Sequence, residues 1–323
     1  LPVILFCGSE VNPLVRNLIK GYNAEELVIV SGTVHDFMLS GLRVFYESDS
    51  VILAASNIGG SLSSDARYAC WRLMGRLGVS ASPPVPEEMV AFSLFRMGVT
   101  SKGADTISSF ISLCDALKLD FTVIPLTDDI PSIHVKSDGR EMRLLEFLIS
   151  SKEVKKVDGV KVDGDFKPLK QSLSYIKNSE SILIAPNDPV SILPIERNAE
   201  VCGALKACEG EVTLVLLPVT PKVEAVLSCL GIDSSPLGLA RLFEGLTDRI
   251  ILDQSLSKAR KDIASSIGVE VLLADLSPSA LQSCVPKVIL ESFPLRRKKS
   301  TAVKDVVKGI TKMMKLEKGE KEN

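Results

Sequence analysis

Short apolar runs alternate with helical patterns from one end of this chain to the other. The runs that read as strands are Pro2–Cys7, Leu27–Ser31, Ser50–Ala54, Phe121–Leu126, Ser181–Ala185, Val212–Leu217, Arg249–Leu252 and Val269–Leu273. They are rich in Val, Ile and Leu and mostly do not alternate with polar residues, the pattern of strands covered on both faces. Helical spacing between them implies parallel crossovers. In the first crossover Asn12 is placed to cap a helix and Pro13 suits its first turn, where a missing N–H costs nothing. Leu14, Leu18 and Ile19 then recur at helical spacing.

The pattern predicts an α/β protein with a doubly wound, mainly parallel, Rossmann-like sheet. Two interruptions qualify it. Residues 60–118 hold three helical patterns with no strand among them, Asp65–Leu77, Glu87–Arg96 and Asp105–Leu117, which reads as a helical insertion capping one sheet edge. Residues 134–164 carry the turn signals Asp138-Gly139, Asp158-Gly159 and Asp163-Gly164, expected to join small antiparallel strands, with a short helix around Leu144–Ile149. The α/β body spans residues 1–295. Residues 296–323 read as an appended basic amphipathic helix, with Val303, Val306, Val307, Ile310, Met313 and Met314 on one stripe. Docking on the acidic body or on a partner subunit is the expectation for it, ahead of an anionic membrane surface.

Charge sharpens that division. The 323 residues carry a formal net charge of -2. The tail alone has ten Lys/Arg against four Asp/Glu, a net of +6, which leaves the body with 28 basic and 36 acidic residues, a net of -8. An acidic body argues against a nucleic-acid surface. The seven cysteines form no Cys-x-x-Cys pair, and His35 and His134 are the only histidines, so a structural zinc site is not expected. An odd cysteine count suits a reducing compartment. No apolar run is long enough to span a bilayer, and Leu1–Cys7 lacks the basic start of a signal peptide. The expectation is a cytoplasmic protein acting on small molecules.

Ligands of open parallel sheets bind beyond the carboxyl ends of the strands, and four polar clusters fall there. Cys7-Gly8-Ser9-Glu10 leads to a helix start, where backbone N–H groups can hold a phosphate, although one Gly there is equally an ordinary turn. Ser31-Gly32-Thr33-Val34-His35-Asp36 follows the second strand, with Asp49 beyond it; a capped polar loop is the plain alternative. Thr127-Asp128-Asp129 offers adjacent carboxylates that could hold Mg²⁺ or cap a turn. Ala185-Pro186-Asn187-Asp188-Pro189, followed by Ser191-Ile192-Leu193-Pro194-Ile195, makes a rigid polar shelf.

In this order the clusters resemble the 2-phospho-L-lactate transferase family, which completes the phosphodiester of a deazaflavin coenzyme. Gly32-Thr33 through Asp36, Ser40-Gly41-Leu42 and Asp49-Ser50-Val51 look like its Asn-Thr…Asp, Gly-Leu and Asp-Thr-Val pattern. Leu126-Thr127-Asp128-Asp129 is similar to its Met-Thr/Ser-Asp-Asp, and Pro186-Asn187-Asp188-Pro189…Ser191-Ile192-Leu193-Pro194-Ile195 to its Pro-Ser-Asn-Pro…Ser-Ile-Gly-Pro-Ile. The likeness is collinear over roughly residues 1–290. It implies transfer of a lactyl-phosphate, or related, group from a guanosine diphosphate diester to the deazaflavin precursor Fo, with release of GMP and with Mg²⁺ as cofactor. By the same likeness Asp36 and Asp49 would be catalytic and would hold the metal. Gly8, Ser9, Thr33, Thr127, Asp128, Asn187, Asp188 and Ser191 would bind substrate. A homodimer, or pairing with a homologue, is expected. The chain also departs from the pattern. A glycine-rich loop is reduced to Gly8, Asn is replaced by Gly32, Leu145 stands for a Gln, and a later phosphate-type loop is cut to Pro218-Val219-Thr220-Pro221-Lys222. These departures leave open a non-catalytic nucleotide-binding regulator or scaffold on the same fold.

Overall fold

The computed structural model describes residues 1–8, 13–23, 27–56, 58, 69–78, 85–150, 156–293 and 296–297. Its centre is a seven-stranded sheet. The strands are β1 (Pro2–Cys7), β2 (Val28–Ser31), β5 (Thr122–Pro125), β9 (Ser181–Pro186), β10 (Glu211–Leu216), β11 (Arg249–Asp253) and β12 (Glu270–Ala274). Their order is β12-β11-β10-β9-β1-β2-β5, and every pairing is parallel. The doubly wound expectation holds. All six residues of β1 and all six of β9 are buried, which is why both sequences are nearly unbroken apolar runs. From β1 in the middle the chain passes through helix α1 (Pro13–Gly21) to β2 and on to β5 at one edge, then returns across β1 to β9 and continues to β12. The switch point of the sheet therefore lies between β1 and β9.

One strand expectation fails. Ser50–Ala54 lies inside helix α2 (Tyr46–Ala55). A run such as Val51-Ile52-Leu53-Ala54 fits a buried helix and a buried strand equally well by hydrophobicity. A hairpin, β3 (Phe37–Leu39) with β4 (Leu42–Val44), precedes the helix. Glu47 and Asp49 then fall in its first turn, where carboxylates oppose the helix dipole favourably.

In the predicted insertion the described helices are α3 (Ala69–Arg76), α4 (Glu87–Thr100) and α5 (Thr106–Ala116), with α5 packed on edge strand β5. Asp105 caps α5 by accepting the Ser108 N–H at 2.7 Å. The start of the first expected helix, at Asp65, lies outside the described residues. The antiparallel unit is a three-stranded sheet in the order β7 (Arg140–Arg143), β6 (Ser132–Ser137), β8 (Val157–Asp163), with α6 (Leu144–Ser150) after β7. A satellite core of Phe37, Leu39, Val44, Val85, Met89 and Leu145 joins the hairpin to α4 and α6. Arg296–Arg297 pairs antiparallel with Tyr22–Asn23; the amphipathic stripe of the tail lies outside the described residues. Among the described residues no helix is long and apolar enough to cross a membrane.

Candidate functional site

The first βα turn and the Pro-rich shelf meet at the switch point. Gly8 leaves β1 with φ +143°, a backbone region that favours glycine, and a methyl at its Cα would come 2.4 Å from the Asn187 Cβ. The Asn187 N–H donates to the Cys7 carbonyl at 2.7 Å, and the Gly32 N–H donates to the Phe6 carbonyl at 2.7 Å. Three loops, after β1, β2 and β9, are thus stitched to one another across the central strands. By the sheet order this junction lies at the carboxyl ends of β1 and β9, where the ligand crevice of a doubly wound sheet is expected.

Inside this junction sits a carboxylate that sequence reasoning did not single out. Glu47, fully buried on α2, accepts the Gly8 N–H at 3.0 Å through Oε2 and the His35 N–H at 3.1 Å through Oε1. Burial pushes its pKa up to about 7, against the pull of His35 and of the two N–H bonds. The buried His35 ring then reaches Ser191, with Nε2 2.8 Å from Oγ, and lies 3.9 Å from the Asp188 carboxylate. Ser191 donates its hydroxyl to Asp188 and also gives it a backbone N–H at 2.8 Å. A serine so enclosed is a structural link between shelf and loop rather than a nucleophile, because its proton is committed to Asp188. Thr33 is buried too, and its carbonyl closes the turn by accepting the Asp36 N–H at 3.2 Å. Beneath them burial raises the Cys7 thiol pKa, with Glu47 and Asp188 adding to the rise.

Asp36 is fully buried, and neither carboxylate oxygen has a hydrogen-bond partner. The Arg43 guanidinium lies 3.5 Å from Oδ2, and Arg143 of the small sheet donates to the Asp36 carbonyl at 2.7 Å. Burial raises the Asp36 pKa well above the usual carboxylate range, while Arg43 opposes the rise. Arg43 also donates to the backbone carbonyls of Asp128 and, at 2.9 Å, Asp129. This one side chain therefore draws the Thr127-Asp128-Asp129 loop against Asp36. Within that loop Thr127 is occupied locally, donating to the Lys167 carbonyl at 2.6 Å and accepting the Asp129 N–H at 3.0 Å. Asp129 accepts the Lys167 N–H at 2.7 Å, and Asp128 is exposed at the mouth.

Asp49 has a different setting. Both of its oxygens are held by Arg96 of α4, at 2.5 and 2.8 Å, and the pair is buried. The two carboxylates expected to share a magnesium ion thus each face a guanidinium, Arg43 for Asp36 and Arg96 for Asp49. A guanidinium already neutralises Asp49, and its positive charge opposes a cation beside it. Among the described residues no group of three or more His, Cys, Asp or Glu is arranged to hold a metal. Arg43 and Arg96 both stack on Phe45, with guanidinium carbons 4.0 and 5.1 Å from the ring centre, and Phe110 meets Phe45 edge-on. Above them opens a pocket of about 350 Å³ lined by Met38, Leu42, Phe45, Met97, Thr106 and Asp128, among others. Ser9 lies outside the described residues. Of the other expected site residues, Gly8, Thr33, Asp36, Asn187, Asp188 and Ser191 gather at the crevice. Thr127 and Asp128 border it through Arg43, and Asp49 anchors α2 to α4. The missed residues, Arg43, Glu47 and Arg96, left one kind of sequence signal: charges at helix and hairpin positions whose neighbours are buried.

No protein-family model matches the chain. Curated relatives do. It is 23% identical to the 2-phospho-L-lactate transferase of Methanosarcina barkeri over 264 residues, 78% of this chain and 85% of that one. The enzyme of the same name from Methanocaldococcus jannaschii is 23% identical over 291 residues, 84% of this chain and 91% of that one. The chain is thus similar in sequence, at low identity, to proteins named 2-phospho-L-lactate transferase. A solved structure of a UPF0052-family protein from Bacillus halodurans shares the fold, with a TM-score of 0.52, 16% identity, and coverage of 85% of this chain and 93% of that one.

Proposed function

We propose that this chain is a transferase that uses the β1–β9 crevice to move a lactyl-phosphate or related group from a guanosine diphosphate diester to the deazaflavin precursor Fo. The side-chain hydroxyl of Fo forms the new bond to phosphorus, the bond to GMP breaks, and the hydroxyl proton is lost to a carboxylate or to water. Such a transfer needs no covalent intermediate, so catalysis rests on positioning. The observation that carries the reading is the convergence of Gly8, the Thr33–Asp36 loop and the Asn187–Ser191 shelf at the switch point of the sheet, in a chain whose sequence is similar to the transferases over 78% of its length. The neighbouring pocket over Phe45, about 350 Å³, offers Met38, Leu42, Phe45 and Met97 to the face of a flat ring and Arg43, Arg96 and Asp128 to polar groups at its edge, and it is the acceptor site in this reading. Asp36, whose carboxylate oxygens make no hydrogen bond, is the group that receives the proton. Asn187, half-buried beside Gly8, faces the donor. Asp49 is a positioning residue that acts through Arg96. The test is incubation of the full chain with Fo and the guanosine diphosphate diester of lactate, with GMP and the deazaflavin phosphodiester followed by chromatography. Equimolar appearance of both products supports the reading; its absence with a folded, Fo-binding chain rejects it.

A non-catalytic role on the same scaffold is favoured by one observation, the filling of the first-turn amide by Glu47. Ligand binding without any GMP release would establish that role instead.

A further inference from the structure

In doubly wound folds the backbone N–H groups of the turn after the first strand are free to face a ligand's phosphate. Here the Gly8 N–H is already bonded to a carboxylate from within the protein, and so is the His35 N–H from the adjacent loop. Glu47 reaches both because Gly32 leaves room for it: a methyl at Gly32 would stand 2.7 Å from the Glu47 Oε2. The carboxylate of Asp188, 3.9 Å from the His35 ring on the far side of the same junction, adds a second negative charge. We propose that Glu47 is a built-in carboxyl group that occupies the Gly8 and His35 N–H groups where the loops after β1 and β2 meet, and so makes the crevice select against free phosphate groups. A phosphorus admitted here carries the single charge of a diester, not the two of a terminal phosphate. This deepens the transfer reading and rests on it only for the identity of the ligand; the Glu47 contacts themselves are read from the geometry.

The discriminating probe is inorganic pyrophosphate, which needs no turnover. It is titrated by calorimetry into the wild-type chain, Glu47→Gln and Glu47→Ala, with folding of each checked by thermal melting. In parallel the wild-type chain, labelled with ¹⁵N-glycine, is titrated while the Gly8 amide is followed by NMR. Wild type is expected to bind pyrophosphate no more tightly than about 1 mM, with the Gly8 amide unmoved. Glu47→Ala, with both amides released and one charge removed, binds at least tenfold more tightly. Glu47→Gln, which keeps an acceptor for one amide, falls between them. The proposal is overturned if pyrophosphate shifts the wild-type Gly8 amide with micromolar affinity, or if the folded variants gain nothing. Should both variants fail to fold, the wild-type amide titration decides alone. Loss of the transfer reading leaves these outcomes intact, because none of them depends on product formation.

Discussion

Replacing Arg96 by Met and Asp49 by Leu, singly and together, tests whether the pair between α2 and α4 is a structural anchor. The two contacts of 2.5 and 2.8 Å join side chains that are 4% and 0% exposed, so this is a buried ion pair and not a screened surface one. Removing one partner of such a pair costs about 3–5 kcal/mol, whereas replacing both with apolar groups is close to neutral. The total stability of a protein is on the order of 5–15 kcal/mol, so either single change is severe. The two singles differ in kind. Asp49→Leu strands a guanidinium that has no neutral form, still sandwiched between Phe45 and Phe110. Arg96→Met strands a carboxyl whose pKa burial already raises; without Arg96 it rises further and the group can take up a proton. Urea unfolding at pH 7.5 and pH 5 is the assay. Both singles should lose at least about 3 kcal/mol at pH 7.5. Arg96→Met should recover part of that at pH 5 and Asp49→Leu should not. The double variant should be more stable than either single. Singles that lose less than about 1 kcal/mol, or a double equal to their sum, would refute the anchor.

Two further outcomes follow from the crevice. Glu47 has a folded pKa of about 7 against an ordinary 4.5. An acid whose folded pKa is raised binds more protons when folded, so its contribution to stability is fully present below 4.5 and is lost as pH rises to about 7. That difference is worth about 3 kcal/mol. The stability of Glu47→Gln relative to wild type should therefore improve by about that amount between pH 4.5 and pH 7.5, and a flat difference across this range rejects the buried, ionised Glu47. Gly8→Ala meets both an unfavourable φ and the Asn187 Cβ at 2.4 Å, and should lose about 2–3 kcal/mol in urea unfolding; a loss below about 0.5 kcal/mol contradicts the close approach.

The sheet was legible because its strands are covered on both faces: Val3-Ile4-Leu5-Phe6 and Ile182-Leu183-Ile184-Ala185 are buried without exception. The same compositional signal misled at Val51–Ala54, where a buried helix writes an equally unbroken run. Turn chemistry located the small antiparallel sheet, since Asp138-Gly139 does close β6 onto β7, with positive φ at both residues. The site was legible as a set of loops but not as a network. Glu47 and Asp49 stand two apart on one helix, yet one turns into the crevice and the other to Arg96. Only the three-dimensional placement of α4 separates them, and no local pattern encodes which carboxylate finds the guanidinium 47 residues away.

In the proposed transfer the deazaflavin precursor lies in the pocket over Phe45, beside the donor crevice at the sheet's switch point. Titration of the purified full chain into Fo, followed by the fluorescence of the deazaflavin itself, tests this most directly when repeated with Asn187→Ala and with Met97→Glu, which puts a charge in the lining of the pocket over Phe45. Saturable wild-type binding is expected in the range of roughly 1 µM to 1 mM. Met97→Glu should weaken it at least tenfold, an expectation of about 1.4 kcal/mol, with an unchanged melting temperature, while Asn187→Ala, on the donor side, should leave it within about threefold. No saturable binding by the folded wild-type chain, or equal binding by Met97→Glu, would contradict it.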